Sequence, residues 1–296
     1  MRSLYTTGIF SEAVKRLKRD SWAKVCFVII VIYTILALLV GCGMICRNYD
    51  LTTGDAYEPP SWRHPFGTDI FGRDVAIRVI YGINVSMTVG LIVVSIAVPI
   101  GVLLGALAGF YGGFIDDIIV WLYQTIASIP GILLVLGLTY ALGGKTIFGI
   151  ELRGLQVVYI SLGLTSWIGL ARIIRAEVMK HKEREYIQAA RALGVHPIIQ
   201  IFKHILPNIL YLIVIQASLM FVGAILAEVI ITFLGLGVES LPSWGRMIDD
   251  ARMEWVSRGV WWQITSAGLF MFVLVLSLNI FADSIRDAVD PRLKDD

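Results

Sequence analysis

Charge is what this 296-residue chain has least of: only 16% of residues are Asp, Glu, Lys or Arg. Soluble domains carry about 25%. With 57% apolar residues, a mean hydropathy of +0.76 and a net charge of +2, a soluble fold is excluded, as is a nucleic-acid-binding tail. Cysteine is also scarce. Cys26, Cys42 and Cys46 all fall in the first apolar run, without metal-type spacing, and His64, His181, His196 and His204 are scattered along the chain. Membrane thiols and solvated imidazoles account for them without a metal site. No Ser/His/Asp grouping and no Gly-rich phosphate loop occurs, so ATP hydrolysis, if used, belongs to another chain.

Long apolar runs are what the sequence has instead. A helical span needs about 20 mostly apolar residues, because backbone polar groups have no water to turn to. Val25–Cys46, Val85–Phe110, Ile118–Leu142, Leu155–Ala171, Ile209–Leu236 and Val260–Ala282 meet that length or nearly do. The expected fold is therefore all-α and polytopic, with about six transmembrane helices. Residues 1–24 form an N-terminal tail, 25–46 the first span, 47–84 an outer connection, 85–282 the core and 283–296 a C-terminal tail. "LVGC" (Leu39–Cys42) resembles a lipoprotein-processing box, but a run of spanning length explains the segment as an uncleaved first helix. Lys and Arg crowd the N-terminal tail and the connection between the fourth and fifth runs, which places both in the cytoplasm, with the C-terminus on the same side.

That connection contains "EREYIQAARALGVHPIIQIFKHILP" (Glu183–Pro207). Glu185–Leu193 consists of good helix formers, Gly194 is a natural helix stop, and Pro197 suits the first turn of a second helix. Ile198, Ile201, Phe202 and Ile205 then give one apolar stripe. The pair Ala189 and Ala190 allows close approach by another surface, and Glu185, Arg191 and Lys203 can set register. Periodicity alone does not separate a protein-docking helix from one lying on the membrane surface.

The order "QAA" (Gln188–Ala190), three residues, Gly194, nine residues, then "HILP" (His204–Pro207) resembles the EAA loop of ABC-importer permease subunits. "HPFGTDIFGRDVAIRVIYG" (His64–Gly82), "SIPGILL" (Ser128–Leu134), "FLGLGVESLPSWGRMI" (Phe233–Ile248) and "DSIRDAVDPRL" (Asp283–Leu293) follow the same family in order. They are most similar to the C-type permease component of the dipeptide, oligopeptide and nickel branch. The resemblance implies a type I importer permease fold with a coupling helix at about 185–205 that seats on an ATPase subunit. Glu185, Tyr186, Gln188, Ala189, Ala190, Arg191, Gly194, His204, Leu206 and Pro207 would carry that contact. It also implies a B-type permease partner, two ATPase subunits holding ATP and Mg, a periplasmic binding protein, and a bacterial inner-membrane location. The chain itself would be non-catalytic and hold no cofactor. Gln188 stands where the family has Glu, and Trp121 and Gln124 stand where the branch has Arg and Asp; these departures bear on ion pairing and local gating. Nickel, glutathione, an opine or a glycoside are alternative cargoes.

Other residues carry two readings each. Gly101, Gly105, Gly109 and Gly113 recur every four residues, a spacing suited to close helix packing or to lining a path. Pro99 and Pro130 are expected to kink the second and third spans. Glu228, a carboxylate inside an apolar run, fits a gate or interhelical hydrogen bond, or a proton relay in an ion-coupled transporter, though no second intramembrane acid accompanies it. Asp69, Arg73, Asp74 and Trp244 fit contact with a binding protein, or ordinary pairing within the outer loops.

Overall fold

The computed structural model describes residues 17, 19–147, 149–151, 154–234 and 241–289. Most of the expected N-terminal tail, residues 290–296 of the C-terminal one, and 235–240 at the end of the fifth run and just after it lie outside them. The described residues are almost entirely helical, with one two-residue antiparallel pair, Thr146–Ile147 with Ile150–Glu151. Among the described residues, five helices are long and apolar enough to cross a membrane, or six if one bent pair counts as a single span.

α1 (Ser21–Gly41) starts four residues before the expected span, because the Asp20 carboxylate accepts the Trp22 N–H at 2.9 Å and caps the helix. It ends at Cys42 rather than Cys46. α2 (Val75–Tyr111) starts ten residues earlier than expected, capped by Asp74, which accepts from the Ala76 and Ile77 N–H groups. Two polar residues that interrupt its hydropathy face partners in the protein. Arg78 faces Asp69 at 3.6 Å, and the Asn84 carboxamide donates to the Ala37 carbonyl at 2.8 Å. At 37 residues α2 is about 55 Å long, well beyond a bilayer core of about 30 Å.

The expected third span is two helices, α3 (Gly113–Ala127) and α4 (Gly131–Leu142), bent by 92°. The break falls at Ser128–Pro130, where proline lacks the N–H needed to continue the ladder. Pro99, by contrast, lies inside an unbroken α2. α5 (Leu155–Lys182) continues eleven residues past Ala171, because the basic segment after it is itself an amphipathic helix whose Ile174 and Val178 are buried. After a compact connection come α8 (Leu210–Phe233), α9 (Trp244–Arg258) and α10 (Trp262–Val289). The two short helices between α5 and α8 are described with the site.

α2 is the mast of the bundle, and α5 lies along it. A Cβ placed on Gly101, Gly105 or Gly109 would fall 2.9, 2.5 and 2.5 Å from the carbonyl oxygens of Trp167, Ala171 and Arg175. Three of the four glycines thus admit the α5 backbone itself, at matching four-residue steps. Gly113 does not; nothing lies near it, and it opens α3. α3 is clasped to α5 by Asp116, whose two oxygens accept from Arg175 Nε and Nη2, and by Arg172 lying 4.9 Å over the Tyr123 ring.

At the far end of α2, α9 is wedged between two helices. The Trp244 indole donates to the Val79 carbonyl at 3.0 Å and covers Gly82, while Gly245 rests on the backbone of Val229. Burial pushes the Asp250 and Glu254 carboxyls above their ordinary values, opposed by the Arg246 guanidinium at Asp250 and by the Tyr57 hydroxyl at Glu254. The docked helix therefore binds protons that an opened one releases between the ordinary and raised values. Its seat gains stability as pH falls through the raised values and loses it above them. Amide exchange over 244–258, corrected for intrinsic rate, is expected to slow as pH is lowered through the raised values; acceleration would contradict it.

Candidate functional site

The connection from α5 to α8 is a folded platform. α6 (Glu185–Ala192) buries Ile187 and Ala190. Its C-terminal turn closes through Leu193 N–H to the Ala189 carbonyl, Gly194 N–H to Arg191 and Val195 N–H to Ala190, with Gly194 at φ +75°. α7 (Pro197–Ile199) opens on Pro197 and runs into a π-helical turn, Gln200–Ile205, and a 3₁₀ turn, Leu206–Asn208. Ile201 and Ile205 are buried with Ile174 and Val178 of α5, Ile187 of α6 and Phe110 of α2. The platform is thereby packed onto the ends of both mast helices.

The expected four-residue apolar stripe splits. Ile201 and Ile205 point inward, whereas Ile198 and Phe202 are about half exposed. The π turn is the cause, since its wider i→i+5 bonding rotates residues off the α register. Ala189 and Ala190 split likewise: Ala190 packs inward and Ala189 faces out. The outer face of α6 carries Glu185, Gln188, Ala189, Arg191 and Gly194, together with Leu193, which is 83% exposed and was not singled out from sequence. Leu193 is an apolar knob at the tip, and its only sequence signal is a large apolar residue just before a helix-stopping glycine.

Local bonds fix how this face is presented. His181 Nδ1 and the Tyr186 hydroxyl lie 2.7 Å apart, joining α5 to α6. The Gln188 carboxamide donates to the Glu183 carbonyl at 3.0 Å, a bond that a carboxylate at this position could not donate. Gln200 donates to the Val195 carbonyl at 2.6 Å and holds the Gly194 turn against the π turn. His204 and Leu206 are half-buried beneath, and Pro207 is exposed in the 3₁₀ turn.

The outer-loop residues are engaged with one another and with the helix ends. Asp69 and Trp244 are buried. The Asp69 carboxylate accepts from the Arg73 guanidinium at 2.7 Å and from the Phe71 and Arg73 N–H groups. Arg73 also reaches Asp50 at 2.8 Å, and Asp74 caps α2 and meets His64 Nδ1 at 2.9 Å. In this arrangement the four residues organise the end of α2 and the seat of α9.

Glu228 is completely buried on α8. One oxygen accepts from the Thr232 hydroxyl at 2.9 Å, and the other has no partner among the described residues. Gly245 of α9 packs on the adjoining Val229 and Thr232. Glu228→Gln keeps the acceptor for Thr232 and the side-chain shape. Near-wild-type uptake is therefore expected from that variant, whereas a proton-relay role requires its loss.

The 92° bend leaves space beside α5 and α8. One cavity of about 430 Å³ is lined by Ile129, Gly131 and Val135 at the bend with Leu162, Thr165 and Ala227 opposite. A second of about 440 Å³ continues between α5 and α8, sharing Leu162, Ser166 and Ala227 with the first. Trp121 and Gln124 point away from the helices that pack on α3 and are exposed.

Residues 101–295 match the family model described as "Binding-protein-dependent transport system inner membrane component". This chain belongs to that family. The permease is 34% identical, over 96% of its length and 90% of the relative's, to the dipeptide transport system permease protein DppC of Alkalihalophilus pseudofirmus. It is 33% identical to the oligopeptide transport system permease protein OppC of Bacillus subtilis, over 97% and 91% of the two chains. Against OppC of Salmonella typhimurium the identity is 38%, over 84% and 76%. A chain of the inward-facing MetNI methionine ABC transporter matches with a TM-score of 0.55 at 20% identity, covering 73% of this chain and 96% of that one, a likeness of fold. The permease is thus a multi-pass membrane component of the ABC-importer type, and the family reading made from the loop motifs agrees with it.

Proposed function

We propose that this chain is the membrane-spanning subunit of an ATP-driven importer of peptides, with a second permease subunit, two ATPase subunits and an external binding protein completing the complex. The observation that carries the reading is the α6 platform. It presents Ala189, Arg191, Leu193 and Gly194 outward while Ile187, Ile201 and Ile205 fasten it to α2 and α5. A partner that grips the outer face and moves therefore pulls on the two central helices, with little slack between. Closure of the ATPase pair around ATP would favour one packing of the spans and its release the other, as coupling between two discrete states requires. The platform faces the cytoplasm in this reading, with both termini on that side and α9 outside.

Peptide cargo is supported by the names of the DppC and OppC relatives and by the character of the cavities. No His, Cys or carboxylate is among the described residues that line them, which suits a neutral main chain better than a bare divalent cation. Purification in mild detergent, identification of the co-purifying chains, and a peptide-binding assay on the external protein test the reading. Two nucleotide-hydrolysing subunits and a peptide-binding partner are expected. Purification without an ATPase, or with a binding protein that takes only metal or sugar, would overturn it.

A further inference from the structure

The groove between α5 and α8 is built to hide its own polar groups, with one exception. The Thr165 hydroxyl donates back to the Ser161 and Leu162 carbonyls at 3.0 and 3.1 Å, and the Ser166 hydroxyl to Leu162 at 2.7 Å. Both therefore spend their protons on their own helix and turn mainly carbon toward the space. Gly169 and Gly223 face it with nothing within 4 Å of where a Cβ would sit, so the groove floor is open at both. No charged residue lines either cavity.

Gln216 is the exception. It lies on α8, seven residues before Gly223 and eleven before Ala227, a spacing that keeps all three on one helical face. Its side chain is half-buried, lines the 440 Å³ cavity, and has no hydrogen-bond partner among the described residues. A carboxamide offers a donor and an acceptor side by side, the complement of one peptide unit. In a wall otherwise closed to hydrogen bonding, it is the one group at which a passing molecule can exchange its hydrogen bonds to water for bonds to protein.

We propose that Gln216 is a substrate-contacting residue of the translocation path, whose carboxamide pairs with the main-chain amide of a peptide in transit. The inference rests on the peptide-import reading above. Because the main chain is common to all peptides, one fixed carboxamide can pair with them whatever their side chains.

The test uses the whole reconstituted complex with its binding protein, in proteoliposomes, and three tripeptides that are acidic, neutral and basic. Gln216→Leu is expected to lower uptake of all three about fivefold, the worth of one amide pairing, with ATPase stimulation by loaded binding protein retained. Gln216→Glu and Gln216→Lys are expected to shift the ratio of acidic to basic uptake in opposite directions. That ratio is read within one preparation, so it is independent of how much complex assembles. Parity of both charge variants with wild type overturns the role of Gln216 while leaving peptide import standing. Loss of complex assembly without a change in the ratio makes Gln216 a subunit-interface residue and overturns it equally. A wild-type complex that imports none of the three peptides overturns the reading beneath.

Discussion

Gly194→Val is expected to insert normally and to retain its ATPase subunits, yet to lose at least about tenfold in uptake. Tenfold corresponds to about 1.4 kcal/mol, and the turn supplies that much from its backbone alone. Gly194 sits at φ +75°, where a side chain costs about 1–2 kcal/mol, and a β-branched one more. The Val195 N–H bond back to the Ala190 carbonyl of α6 depends on that conformation. Relaxing the turn re-aims Leu193 and tilts α6 relative to the π turn that Gln200 holds against it. Within the chain there is no clash, since nothing lies within 4 Å of a Cβ at this position. Insertion and core packing are thus spared, and the damage falls on the outer face. Asparagine tolerates the left-handed region better than other side chains, so uptake is expected to rank Gly above Asn, Asn above Ala, and Ala above Val. Stimulation of ATP hydrolysis by loaded binding protein should fall in the same order. Wild-type uptake by Gly194→Val with normal ATPase association would remove the platform from the coupling path.

How far the sequence reaches is clear from where particular elements departed from it. The apolar runs are legible because hydropathy follows from the bilayer itself, and each run has a helix, or a pair of helices, in its place. The starts of α1 and α2 are not legible from hydropathy, because Asp20 and Asp74 begin them by capping and the polar residues within face partners outside the helix. Arg78 and Asn84 read as loop until Asp69 and the Ala37 carbonyl are beside them. Pro130 marks a kink, but the size of the bend depends on what α3 and α4 each pack against. In the loop, helix formers and Gly194 locate α6 to within a residue, while the π turn that splits the following stripe has no sequence signature. The Asp116–Arg175 clasp and the Trp244 wedge join residues 59 and 165 positions apart, so no local pattern announces them. Only a resemblance to a family supplied the role of the loop, since an amphipathic segment suits a membrane surface as well as a partner.

Gly105→Leu is expected to prevent the bundle from forming, the most severe effect of any single change in the spans. A Cβ at Gly105 falls 2.5 Å from the Ala171 carbonyl oxygen, 3.1 Å from its Cα and 3.0 Å from the Ile174 Cβ. Two of those atoms are backbone in mid-helix and cannot swing aside, so α2 and α5 must separate. In lipid the separated faces incur no hydrophobic penalty, because the chains around them are as apolar as the partner; close packing is what holds the pair, and packing is what the substitution removes. Overpacking of a soluble core costs about 1–3 kcal/mol for a methylene or so, with room for neighbours to adjust. Here even Gly105→Ala meets backbone, and a clear fall in the thermal midpoint of the detergent-solubilised chain is expected from it. Gly101→Ala, whose nearest contact is 2.9 Å, should fall less, and Gly268→Ala, with nothing within 4 Å, should hold the wild-type midpoint. The order of the three distinguishes a packing ridge from general intolerance of side chains at glycines in the spans. Because α5 runs directly into the platform that carries α6, spreading the two helices also displaces that platform, and any Gly105→Ala chain that does fold should show uptake reduced beyond what its lower abundance explains. A wild-type midpoint for Gly105→Leu would mean that α2 and α5 do not approach through their backbones.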